Sequence, residues 1–290
     1  MGPLPDARKG SIAMKVLALA LGALLLGSPL GIAQAEGPRP ARAPTELAYG
    51  ANPLQRLDFW PGSRARMPLI LFIHGGGWSD GDKADSTGSA AIGHFTAEGH
   101  AFASTNYRLA PESSVEEQAQ DVADAVAFLV ARADRLGIAR DRIILMGHSS
   151  GGHLAALIAT DTAYLRQAGF STDIVSGVVL LDGAALAPPT NRSNPIFGSD
   201  EARRKRLAPI NHVAAPNARR FLMLNAGSAD LARQAKAFAE GLRAAGTPAR
   251  VEAVANTNHM QLVDKLGTAN DPATRIVDAF IGEASGSGAK

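Results

Sequence analysis

Beyond residue 54 the chain alternates between short apolar runs and stretches with a helical period. QRLDFW (Gln55 to Trp60) interleaves apolar and polar positions, as a half-exposed strand does. PLILFIH (Pro68 to His74) is continuously apolar and stops at glycines, the pattern of a strand buried on both faces. HAFASTNY (His100 to Tyr107) and RIILMG (Arg142 to Gly147) read as strands too, and IVSGVVLLDG, RRFLMLNAG and ARVEAVAN supply three more. VEEQAQDVADAVAFLVARADRLG sets Val122, Val126, Leu129 and Val130 at helical spacing and stops at Gly137. SGGHLAALIAT reads as a helix, and helices follow the last two strands. This alternation predicts an α/β fold, a mostly parallel central sheet flanked by helices. Ligands of such sheets bind at the carboxyl ends of the strands, so chemistry is expected just after each apolar run. Ala184 to Asn217, with five prolines and no period, interrupts the rhythm and is expected to form a small cap or binding segment.

The ends of the chain read differently. Arg8, Lys9 and Lys15 precede the apolar run Val16 to Leu26, and Ala33 and Ala35 follow with A-x-A spacing. Residues 1–35 are therefore expected to be a secretory signal cleaved before Glu36, with Met14 an alternative start to Met1. Eleven apolar residues are short for a membrane span. Residues 36–53 are expected to be a flexible lead-in, 54–283 the folded domain, and 284–290 a flexible tail.

The leader changes the charge picture. Without its three basic residues and one acid, 26 basic and 26 acidic side chains remain, so the high isoelectric point leaves with it. A neutral mature chain lacks the electrostatic footprint of a nucleic-acid binder, and RRKR (Arg203 to Arg206) reads as a solvated helix face. The absence of cysteine excludes disulfides, thiolate metal sites, a cysteine nucleophile and a lipid-anchored leader. Export to the periplasm or medium, with no lasting membrane association, is the expectation.

GHSSG (Gly147 to Gly151) frames Ser149 as G-x-S-x-G between a strand and a helix. A chain turning that sharply strains the serine, and side chains two positions away would collide, so glycine is needed on both sides. Ser150 lacks the frame. Ser149 is the expected nucleophile, with the Ser150 backbone N–H at the start of the following helix facing developing negative charge. HGGGW (His74 to Trp78) follows the strand LILFI, and its glycines leave backbone N–H groups unobstructed. Gly76, Gly77 and Ser150 are the expected donors to an oxyanion, worth several kcal/mol in a transition state.

Of seven histidines, His259 in NTNHM follows the last strand at its carboxyl end and is the expected base. His148 and His153 flank the nucleophile, His148 on the other side of the turn and His153 along the departing helix. His74 braces the glycine loop, His94 and His100 lie at the wrong end of the sheet, and His212 lies in the cap. The acid belongs after a strand between Ser149 and His259. Asp230, beyond RRFLMLN and the turn at Gly227, is chosen to orient His259, with Asp182 after IVSGVVLL its rival.

Together these residues resemble the α/β-hydrolase superfamily, and within it the small serine esterases of the BD-FAE, hormone-sensitive-lipase-like and arylformamidase types. HGGGW with GDK (Gly81 to Lys83), NYRLAP (Asn106 to Pro111), GHSSGGHLAAL, APINHV and NTNH carry the resemblance, over about Gln55 to Gly282. It implies a carboxylic ester hydrolase acting through Ser149, Asp230 and His259 on a small ester with a short or aryl acyl group, needing no metal or cofactor. An arylformamidase-type amide hydrolase and a non-catalytic binder of the same fold are the alternatives.

Overall fold

A computed structural model describes Gly2 and residues 43–84, 89–189, 195–214 and 216–286. The expected leader apart from Gly2, residues 36–42, the middle of the cap (190–194) and the last four residues lie outside the described residues.

Eight strands form one sheet: β1 (Thr45–Ala48), β2 (Arg56–Trp60), β3 (Met67–Ile73), β4 (Ala101–Thr105), β5 (Ile138–His148), β6 (Val175–Leu181), β7 (Phe221–Asn225) and β8 (Ala249–Ala253). Their order is β1-β2-β4-β3-β5-β6-β7-β8. β1 and β2 pair antiparallel, as do β2 and β4, and every other neighbour is parallel. β1 corrects one expectation. Part of the supposed lead-in is an edge strand, with Thr45 opposite Phe59 and Ala48 opposite Arg56. TELA is too short and too exposed to carry a pattern; its pairing on β2 makes it a strand.

The helices are α1 (Ser89–Ala97), α2 (Val115–Ala131), α3 (Ala133–Leu136), α4 (Ser150–Thr160), α5 (Thr162–Gln167), α6 (Glu201–Arg206), α7 (Ala229–Ala244), α8 (Gln261–Asp264) and α9 (Pro272–Ala284). They explain the unbroken apolar runs. Leu69, Leu71 and Ile73 of β3 pack with Val122, Leu154 and Phe238 of α2, α4 and α7. Ile70 and Phe72 pack on the other face, with Phe95, Leu262 and Val277 of α1, α8 and α9. Both faces of the strand are thus removed from water, and alternation has no selective basis there. α2 begins at a reciprocal cap: Ser114 Oγ accepts from the Glu117 N–H, and the Glu117 carboxylate accepts from the Ser114 N–H.

Candidate active site

The central strands end level, and the site is built on their ends. His148, last in β5, pairs with Leu181, last in β6, and Leu181 pairs with Leu224 of β7. The ladder then continues one step past the strands. The Ser149 N–H donates to the Leu181 carbonyl at 3.0 Å, and the Asp182 N–H to that of Leu224 at 2.9 Å. Both residues lie in the left-handed region, Ser149 with φ 53° and Asp182 with φ 47°. Such non-glycine conformations cost about 1–3 kcal/mol each and persist only where the surroundings enforce them.

At Ser149 the enforcement is close packing of backbone. A Cβ on Gly147 would lie 2.3 Å from the Gly151 carbonyl oxygen, and one on Gly151 would lie 2.2 Å from that of Ile73. α4 therefore starts directly above the end of β3, with the serine at its N-cap. The glycine frame has the steric role expected of it.

HGGGW follows β3 alongside. Gly76 and Gly77 are exposed, while Gly75 and Trp78 on either side are buried. Gly77, with φ 60°, has no atom within 4 Å of a notional Cβ. Its backbone borders open space. Among the described residues, neither the Gly76 nor the Gly77 N–H donates to a backbone carbonyl. The loop is held from behind. Trp78, with φ 65°, accepts at its carbonyl from the Ala110 N–H and the Gln118 side chain. Its indole N–H donates to His153 Nδ1 at 3.2 Å, and His153 Nε2 donates to the Leu207 carbonyl of the cap at 2.7 Å. Burial lowers the His153 pKa to about 4, which suits a neutral ring with one proton to give. His74 donates from Nδ1 to the Gly75 carbonyl and stacks on Tyr107, whose hydroxyl donates to the His74 carbonyl.

The other motifs brace this loop. A Cβ on Gly81 would lie 2.4 Å from the Gly75 carbonyl oxygen, so only glycine lets the two segments touch. Asn106 accepts from the Lys83 N–H and donates to the Asp82 carboxylate, and Lys83 Nζ pairs with Asp58 on β2 and Glu46 on β1. Arg108 grips the buried Asp121 of α2. GDK and NYRLAP are thus a scaffold for the glycine loop.

His259 is where its position in the chain suggests, in the turn after β8, but its partner differs from the one expected. His259 Nδ1 donates to Asp182 Oδ2 at 3.1 Å. Asp182 is fully buried, and its other oxygen accepts from the Ala226 N–H at 2.9 Å. Burial opposes its charge, yet the bonds from His259, the Ala226 N–H and the Asn225 amide hold its carboxyl below the ordinary range. Asp230 is exposed in the first turn of α7, paired with Arg233 and with Gln234 Nε2. The reason is the short loop after β7. Ser228 caps α7 at once, so Asp230 leaves with the helix and does not turn across the strand ends. The strand-end signal that picked out Ser149 also marked Asp182, one residue past an apolar run.

A second correction concerns His148. Its ring lies against His259, with centroids 4.5 Å apart, and Nε2 donates to the His259 carbonyl at 2.9 Å. The remaining histidines stand apart as expected: His94 pairs with Asp278, and His212 donates to the Arg206 carbonyl. The basic run forms α6 with no buried residue, and Arg203 reaches from it to Glu116 on α2. No group of metal-ligating side chains exists among the described residues.

The site can therefore present a strained serine hydroxyl beside free backbone donors, with an imidazole fixed by a buried carboxylate. Several known proteins have similar chains. Esterase LipC of Mycobacterium tuberculosis is 30% identical over 68% of this chain, which spans 54% of its length. Kynurenine formamidase of Danio rerio is 24% identical, covering 82% of both chains. The fold of Thermogutta terrifontis esterase 2 superposes with a TM-score of 0.70 at 19% identity, covering 85% of this chain and 96% of that one. The BD-FAE family matches residues 58–175, from β2 through α4 to the start of β6. By that match and by its eight-stranded sheet, the chain is similar to the BD-FAE family of α/β-hydrolases.

Proposed function

We propose that the protein is a serine esterase cleaving a carboxylic ester with a short or aryl acyl group, with Ser149, His259 and Asp182 as its triad. The observation that carries this is the His259–Asp182 hydrogen bond at the strand ends beside the strained Ser149. Ser149 Oγ attacks the ester carbonyl carbon while His259 Nε2 takes the hydroxyl proton. Asp182, on Nδ1, fixes the tautomer and stabilises the imidazolium. The N–H groups of Gly76, Gly77 and Ser150 meet the oxyanion, where donors act without reorganising. Collapse expels the alcohol with the proton from His259, and water repeats the sequence on the acyl-enzyme to release the acid. No metal or cofactor enters any step.

The similarity to esterase LipC supports an ester substrate. The likeness to kynurenine formamidase along most of both chains favours an aryl formamide as the second reading. Export belongs to the same proposal and rests on the leader sequence, with a mature N-terminus at Glu36 as its check by mass spectrometry. A fluorophosphonate probe should label Ser149. A panel of aryl acetates, feruloyl sugars and N-formylkynurenine then separates the readings, and a protein that neither labels nor turns over any of them is a binder.

A further inference from the structure

The turn that carries His259 is tied locally on either side of the histidine: the Asn258 carbonyl accepts from the Leu262 N–H at 3.0 Å, Asn258 Oδ1 from the Gln261 N–H at 2.9 Å, and the Met260 carbonyl from the Val263 and Asp264 N–H groups. It follows β8, passes Asn256 in the left-handed region, and leaves Asn258 and Met260 exposed on either side of the histidine. The Asp182 bond restrains the ring of His259 but not its backbone. The carbonyl of His259 itself is held across 111 residues of sequence, by His148 Nε2 at 2.9 Å. His148 is itself built into the sheet. It ends β5 within the ladder, is 4% exposed, and is crowded on its Nδ1 side by Gly75, where a Cβ would lie 3.0 Å from that nitrogen.

We infer that His148 is a positioning residue, which holds the backbone of His259 at the height where the imidazole meets Asp182. This rests on the esterase reading of the site. His148 touches neither the substrate carbonyl nor the transferred proton; it acts through His259. Burial and then the neighbouring His259 keep the His148 pKa down to about 4. The ring is neutral through the working range, with its single proton committed to the carbonyl. A ring that lost this donor could still fill the space, so the role is separable from packing.

The experiment compares His148→Phe, which keeps a ring but removes the donor, with His148→Gln, whose amide nitrogen reaches about as far as Nε2. The expected result for His148→Phe is kcat for an aryl acetate lowered by about 10²-fold, the scale of a misplacement near 1 Å, with KM within about 2-fold. His148→Gln should recover most of that loss. The readout independent of turnover is the NMR signal of the His259 Nδ1 proton shared with Asp182. It should be sharp in the wild type, broadened by solvent exchange in His148→Phe, and restored in His148→Gln. Should His148→Phe not fold, His148→Asn, too short to reach the carbonyl, takes its place with the same expectations. A donor-free variant that keeps the sharp proton overturns the inference, and so does a His148→Gln variant as impaired as His148→Phe. If the proton behaves as expected while the wild type hydrolyses nothing, the positioning role stands and the esterase reading falls.

Discussion

Asp182 and His259, 77 residues apart, meet through a 3.1 Å hydrogen bond in which the carboxylate is fully buried and the imidazole partly open to solvent. The carboxylate cannot be rehydrated without opening the strand ends. Asp182→Asn should therefore lower kcat by about 10⁴-fold, if it behaves like the acid of a serine protease, while the protein remains folded. Asp230→Asn removes only exposed contacts on α7 and should leave kcat within about 2-fold. Steady-state kinetics on both variants decide the matter, and the reverse ranking would return the acid to α7.

The two serines of the turn differ in what a truncation removes. Ser149→Ala should abolish fluorophosphonate labelling and reduce turnover by several orders of magnitude, as loss of a triad member does. Ser150→Ala keeps the backbone N–H at the start of α4, so labelling should persist and turnover should fall far less. Equal losses in the two would contradict the assignment.

Two glycines of the site should respond in opposite ways. Gly77→Ala places its methyl in open space, at a left-handed backbone cost of about 1–2 kcal/mol. The protein should fold with a modest drop in Tm, yet lose turnover because the methyl intrudes where substrate approaches the loop. Gly147→Ala drives a methyl to 2.3 Å from a backbone oxygen, and α4 cannot move without leaving β3. Its melting temperature should fall well below that of Gly77→Ala. A thermal melt alongside the kinetics checks both.

Far from the site, His94 on α1 is tied to Asp278 on α9 at 2.8 Å, and that bond raises the His94 pKa. A raised folded pKa stabilises the fold fully below the unfolded value of about 6.5, and the benefit is lost as pH rises through the folded pKa. Glu98 acts in the same sense, while partial burial of the His94 ring opposes it. The Tm advantage of the wild type over Asp278→Asn should thus be larger at pH 6 than at pH 9. A constant difference would mean the pair acts through packing alone.

The parallel sheet, the glycine frame and the position of His259 were legible because each follows from local rules. A doubly buried strand reads as an apolar run, a turn of this sharpness needs glycine, and chemistry follows strand ends. In the sequence Asp230 outranks Asp182 because a turn at Gly227 predicts that the chain is redirected there. That expectation depended on whether Ser228 capped a helix at once, a choice settled by how α7 packs on the sheet. His148 carries no signal in the sequence beyond its place beside Ser149. Its partner is a carbonyl 111 residues away, and backbone acceptors leave no mark on residue identity. β1 was invisible for a related reason: four residues become a strand only when a neighbour supplies the other half of the ladder.

The extension of that ladder past β5 and β6 makes the sheet a ruler. Ser149 and Asp182 are each gauged by a hydrogen bond to a carbonyl at the end of the adjoining strand, Leu181 of β6 and Leu224 of β7, so their separation is counted in strand spacings and owes nothing to the loops that leave them. Length can be added or removed in the cap, between Ala187 and Pro195, without changing that measure. Deleting one residue inside Val175–Leu181 would do the opposite. It would turn the side chains of β6 to the other face and carry the carboxylate with them.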